Sequence, residues 1–419
     1  MKVSFVSYEY PPDAAYGGIA TYVHQAARML CARGHHVEVF SSSPQRDGLQ
    51  IEDDILVHRI LETRQEDFAL PVGRLFAKRH KTVRFDVLEG PEFLADAREA
   101  VKLVPDIPLV VKLHTPSIML LELNYLETST IKKVRHCLNG ILRGVKPAWG
   151  YPPHAMGYRS QALEADGMER AHTLDADEIA TPSKSLGDIL IQKWGLQPGV
   201  VSCVPYPYTP DRKLLDIPAE THTNVVTFVG RLEMRKGVLE LARAIPIVLE
   251  EYPTARFRFV GSSEDSPIAN VGMQHYLEKR LQGYKNSLEF TGAVAPHEIP
   301  KLFAKTDICV FPSRWENFPC VCLEAMAAGR GIVASSAGGM VEMLNNGQCG
   351  SVIPPGDPQS IAQAVLALLR QPDRRIKLGE AARERLLAEY SVGRVGCLQE
   401  ASYERAIERR RSKGPRRAQ

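Results

Sequence analysis

Short apolar runs alternate with helical stretches along this chain, and the series runs through twice. The first half reads KVSFVSY, then a helical pattern over about Gly18 to Arg33, then HHVEVFSSS, FDVLEGP, PLVVKLHTP and EIATPS. The second half restarts with VVTFVGRL, the helical GVLELARAIPIVLEEYP, ARFRFVGSS, SLEFTGA, TDICVFPS, GIVASSAGG and CGSVIPP. Runs apolar on both faces, separated by helices, predict parallel sheets covered on both sides rather than sandwiches or barrels. A length of 419 residues fits two such α/β units. The predicted units are 1–205 and 206–390, meeting near the proline-rich VPYPYTPD at 204–211. Residues 391–419 then form a closing helix and basic tail, with packing back toward the first unit as one option.

Composition narrows the function classes. With 44% hydrophobic and 24% charged residues and a net charge of +3, nothing calls for nucleic acid as a partner. The eight cysteines lack C-x-x-C spacing and read as small buried hydrophobes of a reducing cytoplasm. The opening MKVSFVSYEYPP is interrupted by Ser4, Ser7, Tyr8 and Glu9, so it reads as a first strand rather than a signal segment, and no run reaches membrane-spanning length. A cytoplasmic protein is the expectation. Arg405, Arg409, Arg410, Arg411, Lys413, Arg416 and Arg417 crowd the last fifteen residues. They suit either a frayed terminus or attraction to an anionic inner-membrane surface.

In open α/β sheets ligands bind beyond the C-terminal strand ends, so the polar groups there are the candidates. After the first strand, Gly17 and Gly18 open a helix, which permits close backbone approach and aims free N–H groups at an anion. A simple turn explains the same pair, and Glu9 and Asp13 nearby suit bases or caps. His114 ends VVKLH, where a structural role is the plain alternative. In GRLEMRKG, Arg231 and Lys236 flank a loop ahead of a helix, a fork donor and a point charge suited to a phosphate pair or to solvent. Asp175 and Asp177 have metal-ligand spacing but precede a strand, where capping suffices. The segment 120–175, with Lys132, Lys133, Arg135, Arg143 and Lys146, reads as an acceptor-side insertion or a solvated basic helix.

The stretch WENFPCVCLEAM carries Glu316 and Glu324 eight positions apart. Pro319 disfavours helix in the residue before it, so Glu316 is expected in the loop and Glu324 on the helix that follows. A capping Glu and a solvated Glu are the plain alternative.

Together PPDAAYGG, HTP, GRLEMRKG and ENFPCVCLEAMAAGRGIVASSAGGMVEML, in that order, resemble the retaining glycosyltransferases of family 4. The likeness runs from residue 1 to about 390 and is strongest over 225–356, with Glu316 to Glu324 matching the E-x7-E motif. The resemblance implies the GT-B fold, two Rossmann-like doubly wound parallel-sheet domains facing a central cleft. It also implies transfer of a hexose from a UDP- or GDP-linked sugar to an acceptor hydroxyl with retained configuration; no metal or cofactor is expected, since Arg231, Lys236 and helix ends can do what a divalent cation does elsewhere. By the same likeness Gly17 and Gly18 approach the donor's distal phosphate, and Arg231 and Lys236 neutralise its diphosphate. Glu316, with the backbone of Asn317 and Phe318, holds the transferred sugar, and Glu324 accepts from the ribose. His114 lies near the reacting centre, the backbone of Val294 meets the base, and Glu342 supports the loop. Asn317 and Pro319 depart from the commoner small residue and glycine, and Pro319 removes one amide donor. Polysaccharide or glycolipid synthesis is the implied setting; an epimerase or hydrolase, or a non-catalytic nucleotide-sugar binder, are the rivals.

Overall fold

The structure is a computed structural model that describes residues 1–14, 17–127, 155–268 and 270–416. The basic residues Lys132, Lys133, Arg135, Arg143 and Lys146 of the expected insertion lie outside the described residues. Residues 1–121, 155–209 and 390–416 group into one compact unit, and 210–389 belong to another.

In the first unit the strands are β1 (Lys2–Val6), β2 (His36–Ser43), β3 (Gly48–Glu52), β4 (Ile55–Leu61), β5 (Val87–Pro91), β6 (Leu109–Lys112), β7 (Glu178–Thr181) and β8 (Val201–Cys203). They form one sheet in the order β3-β4-β2-β1-β5-β6-β7-β8, parallel except where β3 runs against β4. The β1–β2 register pairs Val3 with Val37 and Phe5 with Val39, and every residue of β5 and β6 is buried. Helix Gly18–Ala32 lays Ala20, Tyr22, Val23, Ala26, Ala27 and Leu30 onto the core, a one-sided stripe at helical spacing. The reversal of order around β1 and β5 brings the turns after these strands to one edge, where α/β folds place ligands.

The second unit holds β9 (Val225–Val229), β10 (Arg256–Val260), β11 (Leu288–Gly292), β12 (Ile308–Phe311), β13 (Gly331–Ser335) and β14 (Ser351–Ile353), all parallel, in the order β11-β10-β9-β12-β13-β14. Helices Val238–Glu251 and Pro358–Arg370 bury Val238, Leu241, Ile245, Val248, Ile361, Val365 and Leu369 against one face, around Phe228 and Phe259. Phe259 stacks on Phe290 with ring centres 4.8 Å apart.

Up to Arg416, most cations of the basic C-terminus are paired within the first unit. Helix Val392–Lys413 belongs to the first unit, and its Arg405, Arg409, Arg410 and Lys413 pair with buried carboxylates. Arg410 donates from Nε and Nη2 to Asp177 at 3.0 and 2.8 Å, and Arg416 reaches the same carboxylate at 2.9 Å. Arg405 and Arg409 pair with Glu178. Asp177 also accepts from Leu109 N–H, so it ties the helix to the sheet rather than capping a turn or binding metal. The argument for membrane attraction therefore loses five of its cations, Lys413 pairing with Asp177 as well. Among the described residues no helix is long and apolar enough to cross a membrane. The cysteines divide: Cys309, Cys322 and Cys349 are buried as expected, Cys203 and Cys397 are exposed, and Cys137 lies outside the described residues.

Candidate functional site

The second unit gathers its charged candidates at the C-terminal end of its sheet. β9 ends at Val229, and a single 3-10 turn, Met234–Lys236, leads through Gly237 into helix Val238–Glu251. Gly237 has φ +73°, and a Cβ there would stand 2.0 Å from the carbonyl oxygen of Pro312, so only glycine lets this turn press against the end of β12. The WENF loop is held in the same way. Gly338, at φ +97°, leaves no room for a Cβ beside the Glu316 carbonyl, Gly339 N–H donates to that carbonyl at 2.9 Å, and Glu316 N–H donates to Ala337 at 3.2 Å.

These two turns bring Lys236 and Arg235 onto one oxygen of Glu316. Arg235 donates from Nη1 to Oε1 at 3.0 Å, and Lys236 pairs with the same atom. No hydrogen bond to Oε2 occurs among the described residues. Glu316 is buried, which by itself pushes its carboxyl up, but Lys236 and Arg235 outweigh that and hold it below the ordinary range. It is therefore an ionised acceptor with one oxygen anchored and one available. Arg231, expected to work beside Lys236, is 57% exposed and leans on Glu233 at 3.3 Å, which Arg235 also contacts at 2.8 Å.

Helix Cys320–Ala327 starts directly after Pro319, which is its N-cap, so Glu316 lies in the loop and Glu324 on the helix. Burial pushes the Glu324 carboxyl up to about 7. Asn317 and Phe318 are buried between the two. Val294 is half-buried in the turn between β11 and the 3-10 turn Pro296–Glu298. Glu342 lies in helix Met340–Met343, and its carbonyl accepts from Arg385 at 2.9 Å.

In the first unit Gly17 is the N-cap of helix Gly18–Ala32 and Gly18 its first residue. The Glu9 carboxylate occupies that helix end, accepting from Ala20 N–H at 3.3 Å, so Glu9 caps rather than acts as a base. Asp13 is engaged by Arg46 through both carboxylate oxygens. His114 follows β6 and is buried; its N–H donates to both oxygens of Glu92 at 2.8 Å. Its Nδ1 lies 2.6 Å from the Tyr206 hydroxyl. Burial, with the Lys112 charge adding to it, pushes the imidazole down to about 3, so His114 is neutral. Burial likewise pushes Glu92 up to about 8.

Sequence reasoning placed His114, Arg231 and Lys236 at strand ends, Glu316 in a loop and Glu324 on the helix after it, and the structure brings Lys236 to Glu316. It missed Arg235, Tyr206, Lys112 and Glu92. For Arg235 the signal was present, a second cation beside Lys236; a loop of unknown curvature gave no reason to prefer it over Arg231. Among the described residues no three His, Cys, Asp or Glu gather as a metal site.

Two family models match, one described as Glycosyltransferase Family 4 over residues 16–212 and one as Glycosyl transferases group 1 over 223–371. The chain is 25% identical over 427 residues to glycogen synthase of Mycobacterium tuberculosis, covering 93% of this chain and 91% of that one. Among solved structures, sucrose-phosphate synthase from Thermosynechococcus elongatus superposes with a TM-score of 0.71 at 20% identity, over 97% of this chain and all of that one. Anabaena HepE in complex with UDP-glucose gives 0.66 at 18% identity, over 96% and 99%. The two matched stretches take in most of the sequence and each falls on a parallel-sheet Rossmann-like unit, so this chain belongs to the glycosyltransferases of GT-B fold.

Proposed function

We propose that the protein is a retaining, metal-independent hexosyltransferase that moves a hexose from a UDP- or GDP-linked sugar to an acceptor hydroxyl in polysaccharide or glycolipid synthesis. One observation carries this reading: Lys236 and Arg235 share Oε1 of Glu316 and leave Oε2 for a sugar hydroxyl. HepE has been solved with UDP-glucose, which makes uridine diphosphate sugars the first donors to try. Glu316, with the Asn317 and Phe318 backbone, grips the hexose; Glu324 accepts from the ribose; Val294 offers main chain to the base. Within the first unit, Gly17, Gly18 and His114 are the proposed phosphate and sugar contacts.

In the proposed reaction the acceptor oxygen bonds to the anomeric carbon as the bond from that carbon to the β-phosphate oxygen breaks. The departing phosphate takes the acceptor's proton, so attack and departure share one face and configuration is retained. Negative charge grows on the phosphate, and Lys236 and Arg231 meet it, a preorganised contribution of several kcal/mol.

The test is transfer by Glu316→Gln and Lys236→Ala. Each is expected to fall by about 100-fold, while folding survives because Arg235 still pairs the carboxylate in the lysine variant. Near-native rates in either, with melting unchanged, would sink the assignment; free sugar from donor alone at the rate of transfer would indicate a hydrolase.

A further inference from the structure

The stretch VPYPYTPD reads in sequence only as a joint, yet its Tyr206 is buried against His114. Tyr206 Oη stands 2.6 Å from His114 Nδ1, and the rings of Tyr22, Tyr206 and His114 pack with centres 4.9–5.5 Å apart. Lys112, fully buried, places its ammonium 4.7 Å from the Tyr22 ring centre and 5.5 Å from that of Tyr206, and donates to the Val204 carbonyl. The same strand end thus carries a buried amine, pushed down to about 8 by burial, a phenol and an imidazole in contact.

Extending the reading of His114 as a residue of the transfer reaction, we propose that Tyr206 is its positioning residue, donating O–H to Nδ1 so that the imidazole proton resides on Nε2. Two physical reasons set the direction of that bond. A phenol O–H is a stronger acid than a neutral imidazole N–H, so in a short pair the oxygen donates and the ring nitrogen accepts. The Lys112 ammonium over the phenol face draws electron density from it and strengthens it further as a donor. That same charge opposes imidazolium, which would otherwise turn Nδ1 into a donor and break the arrangement. Glu92 holds the His114 main chain from the opposite side, so backbone and ring are fixed by different groups. The consequence is a neutral imidazole whose donor nitrogen is Nε2, held so while Lys112, pushed down to about 8 by burial and faced by the buried Glu89 that Tyr22 also contacts, keeps its charge.

The experiment is nitrogen-15 NMR of the full chain labelled at histidine, with His114 identified by its absence in His114→Gln. The expected result is a protonated Nε2 and an unprotonated, hydrogen-bonded Nδ1 in the native protein. A protonated Nδ1 overturns the proposal without any variant being needed. Tyr206→Phe keeps the ring stack and is expected to spread the proton over both nitrogens; unchanged nitrogens there also overturn it. In transfer assays the same variant should lower kcat about tenfold, the equivalent of one hydrogen bond, with donor KM within about twofold. A near-native kcat alongside the shifted tautomer would remove the catalytic part of the proposal. Because the spectra are taken on free protein, they decide the tautomer even where no donor is turned over, which separates this failure from failure of the transferase reading.

Discussion

Glu316 and Glu324 are the same residue type eight positions apart, and their surroundings shift their carboxyls in opposite directions. Glu316 has Lys236 and Arg235 on one oxygen and stays ionised; Glu324 is pushed up to about 7 by burial. If Glu324 accepts the ribose hydroxyls, donor binds its ionised form. Protonation then competes with binding, so affinity is roughly halved near pH 7, is full only well above it, and falls as pH drops, approaching tenfold per unit once the protonated form dominates. Titrating a UDP-sugar, whose diphosphate carries no proton in this range, between pH 5 and 8 measures it directly. Glu324→Gln should bind more weakly at pH 8 and lose the slope; a slope that persists in this variant would assign it to another group. The loop-then-helix break between the two was legible because Pro319 enforces it. Their opposite shifts were not, since these depend on Gly237 and Gly338 letting two loops touch, and on burial, which a sequence does not display.

At the scale of elements, the strands legible beforehand were those buried on both faces, where apolar runs such as ICVF and GIVAS have no other use. The β3–β4 hairpin was missed. It lies at a sheet edge with Leu49 and Ile51 exposed, and its turn is made by Asp53 and Asp54, both at positive φ, in place of the Asn-Gly that would announce it. Helix Val392–Lys413 was legible as a helix but not as an anchor. Counting arginines cannot reveal that Asp177 and Glu178, over two hundred positions earlier, are their partners. Asp177 is fully buried and Arg410 nearly so, so removing the carboxylate charge strands a cation in the interior. Asp177→Asn is expected to cost about 3 kcal/mol, seen as a melting temperature lower by roughly 10 °C. Arg411→Ala, at an exposed position of the same helix, should stay within about 0.5 kcal/mol. Equal, small effects from both would mean that the ion pairs contribute no more than surface pairs do.

The two-unit α/β architecture followed from alternation alone, because parallel strands need a covering crossover between them and the chain supplies one after almost every strand. The division of labour within the second unit followed less well, since it is a matter of charge balance. There Arg231, Arg235 and Lys236 stand against Glu233 and Glu316, leaving one net positive charge fixed at the C-terminal strand ends. A diphosphate sugar arriving there brings two negative charges. Lys236 can exchange Glu316 for phosphate without stranding that carboxylate, because Arg235 stays on it. In the proposed reaction these protein cations take the part that a divalent ion plays in enzymes that lack them. Transfer should therefore survive exhaustive treatment with EDTA, and added Mg²⁺ should change kcat/KM by less than about twofold, a difference well under 1 kcal/mol. The same balance predicts that kcat/KM for the donor falls with ionic strength, as exposed Arg231 is screened. Activity abolished by EDTA and restored by Mg²⁺ would show that these cations do not suffice, and the roles of Arg231 and Lys236 would have to be reassigned.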